Sequence, residues 1–378
     1  MKVVINAFSA RLGGGQTYIS NLLRHIPDGG DLELLVYAPD TLNLPELAEI
    51  KRCKTRWPTT NPVARAIWER FILPGILRRE SVDVLFCPGG TINTKPPNGC
   101  KTVTMFRNMM PFDPRVRKSM PLGLQRIRNW LLERIMLKSM AAADLTIFIS
   151  NHARSIIEAR IRLKKAVTIP HGIAQAFRVH GKLLERPKIA PPGAYLLYVS
   201  RFDVYKHHYE VVSAYAKLSE PLRQRFKLLL AGECDMPEAR RVQGLVSQLG
   251  LDNQVRFLGP IPYGDLPALY CHAQLVLFAS SCENCPNILL EALAAGRPVL
   301  SSNVMPMPEF AGDAVAYFSP FDSEDIKAAI MKVIEDEQYA AALAKAAVKR
   351  CQQYDWSVTA ATTWQCISEL AGHEASHC

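Results

Sequence analysis

The sequence predicts an α/β protein of two similar halves, each a parallel sheet wrapped by helices, on three observations. Short apolar runs, several of them unbroken, alternate with longer stretches at helical spacing along the 378 residues. Parallel neighbours need a crossover, usually helical, and strands covered on both faces read as continuous apolar runs, so this alternation gives a parallel sheet. A polar, proline-containing segment, Gly181-Lys182-Leu183-Leu184-Glu185-Arg186-Pro187 through Pro191-Pro192-Gly193, interrupts the pattern before it resumes. With 48% apolar residues the chain is long enough for two ordinary domains, each with a substantial core.

In order, strands are expected near 2–7, 32–38, 82–87, 101–106, 144–150 and 166–170, with helices such as 17–26 and 63–79 between them. Met1-Lys2-Val3-Val4-Ile5-Asn6 reads as a strand entering a turn and not as a secretory leader. Gly13-Gly14-Gly15 then allows close backbone approach and opens a helix near Gln16-Thr17, a start rich in free N–H donors. By itself this loop fits a tight turn, a phosphate contact or a dinucleotide loop, for which Asp40 after the second strand is a poor acidic partner. After the interruption, strands are expected at 195–200, 226–231, 254–258, 274–279 and 298–302. The expected organisation is a first domain over 1–180, a linker over 181–193, a second domain over 194–355 and a terminal helix over 356–378.

The net charge of +10 is unevenly spread. Residues 1–180 hold 27 Lys+Arg against 13 Asp+Glu, and residues 181–378 hold 18 against 22, so the first half faces something anionic. Nucleic acid is excluded as a partner, because no zinc-finger, homeodomain or RNA-recognition pattern and no basic tail accompanies the charge. Between Arg115 and Lys138 the residues Arg117, Lys118, Arg126, Arg128 and Arg134 alternate with Leu124, Ile127, Trp130, Leu131, Ile135 and Leu137. This is an amphipathic basic helix, either packed on the first domain with a solvated rim or docked on anionic lipid. No apolar run approaches the ~20 residues that cross a bilayer. Ten cysteines are scattered with one Cys282-x-x-Cys285 pair and no second pair, so a zinc or redox motif is not favoured and reduced, cytoplasmic thiols are expected.

The most informative segment is Ser281-Cys282-Glu283-Asn284-Cys285-Pro286-Asn287-Ile288-Leu289-Leu290-Glu291-Ala292. It follows the apolar strand Gln274–Ala279, at a strand end where ligands collect in open parallel sheets. Proline favours the first helical position, which leaves the N–H groups of Asn287, Ile288 and Leu289 as donors for a diphosphate. Glu291 lies one to two turns further, ~7 Å along the axis, where its carboxylate can accept both hydroxyls of a ribose while Glu283 stays beside a sugar. Spacing alone equally allows a solvated helix face. Arg201 and Lys206 follow the strand ending at Ser200, where a fork and a point charge can neutralise a leaving diphosphate. His171, in the turn after the 166–170 strand, is either structural or turned to a ligand.

Five blocks together resemble the retaining glycosyltransferases of family 4. They are Glu283 to Glu291 with Ala292-Leu293-Ala294-Ala295-Gly296-Arg297-Pro298-Val299, the loop Gly13-Gly14-Gly15, Ile169-Pro170-His171-Gly172-Ile173, Tyr198-Val199-Ser200-Arg201-Phe202 with Lys206, and Leu229-Leu230-Ala231-Gly232-Glu233. The resemblance implies a GT-B fold of two doubly wound domains about a cleft, with the terminal helix crossing back to the first. It implies Glu283, Arg201 and Lys206 as catalytic residues. Donor contacts would come from Gly14, Gly15, His171, Arg201, Lys206, Asn284, Cys285, Asn287, Ile288 and Glu291.

The implied activity is transfer of a hexose from a nucleotide diphosphate sugar to an acceptor hydroxyl with retention of configuration. Family likeness leans towards GDP-mannose or a deoxymannose donor and a lipid-linked oligosaccharide acceptor, as in lipopolysaccharide synthesis on the cytoplasmic face of a membrane. No cofactor is expected and, with no Asp-x-Asp in the chain, no metal. Two departures stand out. Arg107-Asn108 occupies the place of a histidine that many relatives have, making these two acceptor-side candidates, and Cys285 replaces a small glycine. A nucleotide-sugar epimerase of the same fold and a non-catalytic adaptor at a membrane surface are the alternatives.

Overall fold

A computed structural model describes residues 1–11, 13–27, 31–119, 123–180 and 184–372, and the chain divides into two compact units. The first comprises Met1–Gly172 and the chain from Asp355 onward; the second is Ile173–Tyr354. The division falls after Gly172, not within 181–193. Residues 181–183 of that segment lie outside the described residues. Its remainder is tied into the second unit, where His272 Nε2 lies 2.8 Å from the Leu184 carbonyl and Arg186 donates to the Pro191 carbonyl at 2.6 Å.

The first unit holds β1 (Lys2–Asn6), β2 (Glu33–Tyr37), β3 (Ile50–Arg52), β4 (Val84–Cys87), β5 (Lys101–Phe106), β6 (Leu145–Phe148) and β7 (Ala166–Thr168). They form one parallel sheet in the order β3-β2-β1-β4-β5-β6-β7. Val3, Val4, Ile5, Val84, Leu85 and Phe86 are fully buried, as expected of central strands covered on both faces. The edge strand β3 was not expected from the sequence, because three residues around Lys51 carry too little apolar pattern. The helical stretch expected at 63–79 is a helix Pro62–Ile67, a π-helical turn Trp68–Ile72 and a helix Leu73–Arg79. Pro74 lacks an N–H, so the ladder loses a bond here, and the Leu73 N–H reaches back to the Trp68 carbonyl.

The helix Trp356–Leu370 belongs to this unit. Buried Trp364 donates through Nε1 to the Leu22 carbonyl at 3.1 Å, which fastens the helix to Gly14–Arg24. Gly172 lets its entry pass close by: a Cβ there would lie 2.1 Å from the Trp356 nitrogen. Residues 373–378 of the expected terminal helix lie outside the described residues.

The second unit holds β8 (Ala194–Val199), β9 (Phe226–Ala231), β10 (Val255–Gly259), β11 (Leu275–Phe278), β12 (Val299–Ser302) and β13 (Ala316–Phe318), all parallel, in the order β10-β9-β8-β11-β12-β13. Leu196, Leu197, Leu228, Leu229, Leu230, Leu275 and Leu300 form its fully buried centre. The short edge strand β13 also escaped the sequence reading, for a different reason: the run Ala314-Val315-Ala316-Tyr317-Phe318 is apolar throughout, and a run this short fits a buried helical segment equally well.

Candidate functional site

In the second sheet the chain order reverses between β8 and β11, and at such a switch point the carboxyl ends of the strands flank the crevice where ligands of open α/β sheets bind. Both loops carry the residues of interest. Ser200 to Lys206 follows β8 and Ala279 to Pro286 follows β11. They are stitched together: the Ser281 N–H donates to the Tyr205 carbonyl at 2.8 Å, and His207 Nε2 lies 2.8 Å from Ser281 Oγ. Gly232, at the end of the neighbouring β9, lets the first loop lie flat, since a Cβ there would sit 2.0 Å from the Ser200 carbonyl oxygen.

Lys206 ends a 3₁₀ turn, Val204–Lys206, and its carbonyl accepts the Tyr198 hydroxyl at 2.5 Å. The next residue, His207, sits in the left-handed region at φ +53, held by Ser281, by the Glu210 carboxylate 3.4 Å from Nδ1, and by the edge of Phe321. A strained residue anchored on three sides fixes the direction of its neighbour. The buried Lys206 ammonium is thereby directed onto Glu283 Oε1, an ion pair between residues 77 apart in sequence. It lies 5.6 Å from the Phe278 ring centroid and 5.3 Å from that of Tyr205. Arg201 stands exposed at the rim, with Nη2 3.8 Å from Met236 Sδ.

The surroundings are poor in mobile protons. Burial, reinforced by the Glu283 carboxylate, pushes the Tyr198 and Tyr205 phenols up. His208 stacks between Tyr198 and Phe202, at centroid distances of 4.5 and 4.1 Å, and burial together with the Lys206 charge pushes it down to about 3. Its ring is therefore neutral at physiological pH.

The helix after the second loop runs Asn287–Ala294, with Pro286 as its cap and not its first residue. The Asn287 N–H donates to the Cys285 carbonyl at 2.9 Å, so the expectation of a donor there is corrected: a tight turn uses it. Glu291 also differs from expectation. It is 8% exposed, and Oε1 accepts the Tyr263 hydroxyl at 2.9 Å. Burial pushes its carboxyl up to about 8, the Tyr263 bond acting in the opposite sense, so it is a carboxylic acid near neutral pH and not the carboxylate the spacing suggested. Asn284 is buried and Cys285 half-buried beside it, and no disulfide joins Cys282 to Cys285.

The remaining candidates lie in the first unit. Gly14 and Gly15 open the helix Gly14–Arg24, capped by Gly13 at φ +60. Arg107, leaving β5, reaches Gly15: its Nη1 would lie 3.4 Å from a Cβ there, and its guanidinium stands 5.8 Å from the Tyr18 ring centroid. Asn108 Oδ1 accepts the Met110 N–H at 3.2 Å and so caps the turn that follows. His171 is buried between Tyr18 and Trp356, at centroid distances of 5.5 and 5.3 Å. The basic stretch forms two helices, Pro114–Ser119 and Leu124–Ala142, with residues 120–122 outside the described residues. Only Met136, Ser139 and Met140 of the longer helix are buried, and Leu124, Ile127, Trp130 and Leu131 are exposed. No helix among the described residues is long and apolar enough to cross a membrane.

Sequence reasoning passed over His207 and Tyr263. His207 matters through a backbone conformation that no residue pattern announces. Tyr263 lies just beyond β10, on the same carboxyl edge as the other loops, and that position was its available signal.

Two family models between them match most of the chain. Residues 12–176 match the model described as Glycosyltransferase Family 4, and residues 182–350 match Glycosyl transferases group 1. The serotype-specific mannosyltransferase WbdA of Escherichia coli is 28% identical over 268 residues, 69% of this chain and 32% of that protein. The O-antigen chain mannosyltransferase B of Escherichia coli is 28% identical over 236 residues, 60% of each. The chain thus spans between about a third and three fifths of the length of these curated relatives. Among solved structures, WaaG, a glycosyltransferase involved in lipopolysaccharide biosynthesis, superposes with a TM-score of 0.73 at 18% identity, covering 97% of this chain and 100% of that one. The two doubly wound units are those of the GT-B fold.

Proposed function

The chain belongs to the group 1, family 4 glycosyltransferases of GT-B fold, and on that premise we propose that it moves a mannose-type hexose from a nucleotide diphosphate donor to a hydroxyl of a lipid-linked saccharide, retaining configuration. The observation that carries this reading is the Lys206–Glu283 pair at the crevice between β8 and β11. A carboxylate neutralised by a buried ammonium is a good acceptor for sugar hydroxyls, and the same ammonium can turn to a diphosphate as its negative charge grows. Arg201 at the rim supplies a second cation for the leaving group, so this mechanism asks for no metal. In it the departing phosphate takes the proton of the incoming hydroxyl, Glu283 orients the donor sugar, and Glu291 with its Tyr263 partner meets the ribose. Ile288, Asn284 and Cys285 shape the floor of the donor site, and Asn287 contributes through its side chain. On the first unit, Gly14, Gly15, Arg107, Asn108 and His171 are proposed to meet the donor phosphates or the acceptor.

The mannose assignment is supported by the names of the two Escherichia coli relatives. The exposed row Leu124, Ile127 and Leu131 among Arg126, Arg128 and Arg134 supports peripheral docking on the anionic cytoplasmic face of a membrane. A thermal-shift panel of GDP, UDP, dTDP and ADP tests the donor. GDP at 100 times its dissociation constant should stabilise the protein by about 2.7 kcal/mol and the others less. Glu283→Gln should keep that shift while turnover of GDP-mannose with a mannosylated lipid acceptor falls about 100-fold or more. A Glu283→Gln enzyme with near wild-type turnover would remove the proposed role.

A further inference from the structure

A second pocket lies in the first unit, at the opposite end of the sheet from Gly15 and Arg107. It is a cavity of about 960 Å³ between the helical stretch 62–79, the loop 92–98 and the last turns of Leu124–Ala142. Its floor is the amino edge of the sheet: Thr102 is the second residue of β5, Asp144 precedes β6 and Lys164 lies just before β7. Ligands of doubly wound sheets collect at the carboxyl edge, so this pocket is separate from the donor chemistry.

Its walls are fastened by buried polar bonds. Glu69, in the π-helical turn, accepts from Asn6 Nδ2 at 2.9 Å and from Asn93 Nδ2 at 2.6 Å, and its carbonyl accepts the Thr94 hydroxyl at 2.8 Å. The Ile92 N–H donates to Ser139 Oγ at 3.0 Å, joining the loop to the long helix. Asp144 is used up: it takes Lys164 Nζ at 2.9 Å and the Thr102 N–H at 2.9 Å. Arg70, Lys95 and Lys138 also line the cavity, and among the described residues none of them pairs with a carboxylate. All three are exposed, so water solvates them, and together they offer complementary charge to an anion with several acceptor oxygens.

The surface next to the lining is apolar in a way a soluble anion does not need. Next to Ala66 and Arg70, the residues Val63, Ile67 and Phe71 form an exposed apolar row, with Phe71 72% exposed. About one turn before Ile135 and two before Lys138, the residue Leu131 continues the exposed row of Ile127 and Leu124. We propose that this cavity receives the phosphate headgroup of an anionic phospholipid, with the acyl region meeting the two apolar rows. The inference rests on the reading of the basic helix as a membrane-docking surface and does not depend on the donor.

The test is flotation of the full chain at low salt with phosphatidylcholine vesicles, with and without phosphatidylglycerol, joined to amide hydrogen exchange on the wild type. The wild type should float only with phosphatidylglycerol, and amides of residues 92–98 should exchange at least ten-fold more slowly on those vesicles. Arg70→Gln/Lys95→Gln should weaken vesicle binding ten-fold or more while melting close to wild type. Arg126→Gln/Arg128→Gln should weaken binding but keep the protection of 92–98 at saturating lipid. If the wild type floats while the Arg70/Lys95 variant binds equally well and 92–98 stays unprotected, the cavity inference falls and surface docking stands. If the wild type never floats, both fall. Inorganic phosphate that alone protects 92–98 and displaces the vesicles would mark a soluble-phosphate site and overturn the lipid assignment.

Discussion

At Glu291 the fold keeps a carboxyl group 8% exposed and gives it one hydroxyl partner, Tyr263. Burial raises its pKa to about 8, from an ordinary value of 4.5. The folded state therefore holds this proton more tightly than the unfolded chain does. Below about pH 4.5 both states carry it and there is no pH-linked cost. As pH rises from there to about 8, stability drains away, and above that the loss is complete. Glutamine has the same shape and no charge to desolvate. Glu291→Gln should thus raise the melting temperature at pH 9 and leave it little changed at pH 5, read by calorimetry at the two values. An equal difference at both would mean that the carboxyl is not held neutral by its surroundings. A ribose arriving at this position meets a group able to donate as well as accept, which the sequence, showing only a glutamate eight places after another, could not disclose.

At the level of elements, the site is three loops leaving β8, β9 and β11, and their spacing depends on Gly232. Its φ is +154, and a Cβ would press to 2.0 Å on the Ser200 carbonyl and 2.5 Å on its carbon, both backbone atoms with little room to give. Gly232→Ala should cost about 3 kcal/mol and push the Arg201 loop out, so that donor affinity falls along with denaturant midpoint. A variant with an unchanged midpoint would show that the loop is free to move. Central strands were legible because continuous apolar runs such as Leu228-Leu229-Leu230 have one good explanation, and their parallel pairing, though not their order, follows from alternation with helices. The edge strand Ile50–Arg52 was not, since three half-covered residues need no apolar run, and Ala316–Phe318 was not, since its short apolar run fits a buried helical segment equally well. The Glu283 and Lys206 positions were readable as strand-end residues. Their pairing was not, because it depends on His207 adopting φ +53 and on Ser281 bonding back to Tyr205. The fate of the Asn287 N–H likewise turned on where one proline sits, as cap and not as first helical residue.

At the scale of the whole chain, the second unit begins and ends at one place. The Ile173 N–H donates to the Tyr354 carbonyl at 3.2 Å, Arg178 donates to the same carbonyl at 2.7 Å, and the Tyr354 hydroxyl reaches the Phe310 carbonyl at 2.8 Å. Both ends are anchored within the unit, whose single apolar cluster runs from Ile173 to Tyr354 through every one of its strands. Residues 173–354 should therefore fold alone, because cutting at the two ends severs covalent joins without opening the core. All of Arg201, Lys206, Glu283 and Glu291 lie inside this span. The excised unit should melt in one cooperative transition and show the same nucleotide preference as the full chain in thermal shift. It should not turn over donor, because Gly15 and Arg107 are left behind on the first unit. If the full chain is stabilised by GDP and the excised unit melts cooperatively yet is not, then the loops after β8 and β11 do not hold the nucleotide by themselves, and its binding draws on first-unit contacts such as those proposed for Gly14, Gly15 and His171. If the excised unit has no cooperative transition, the ties at Ile173 and Tyr354 do not close it.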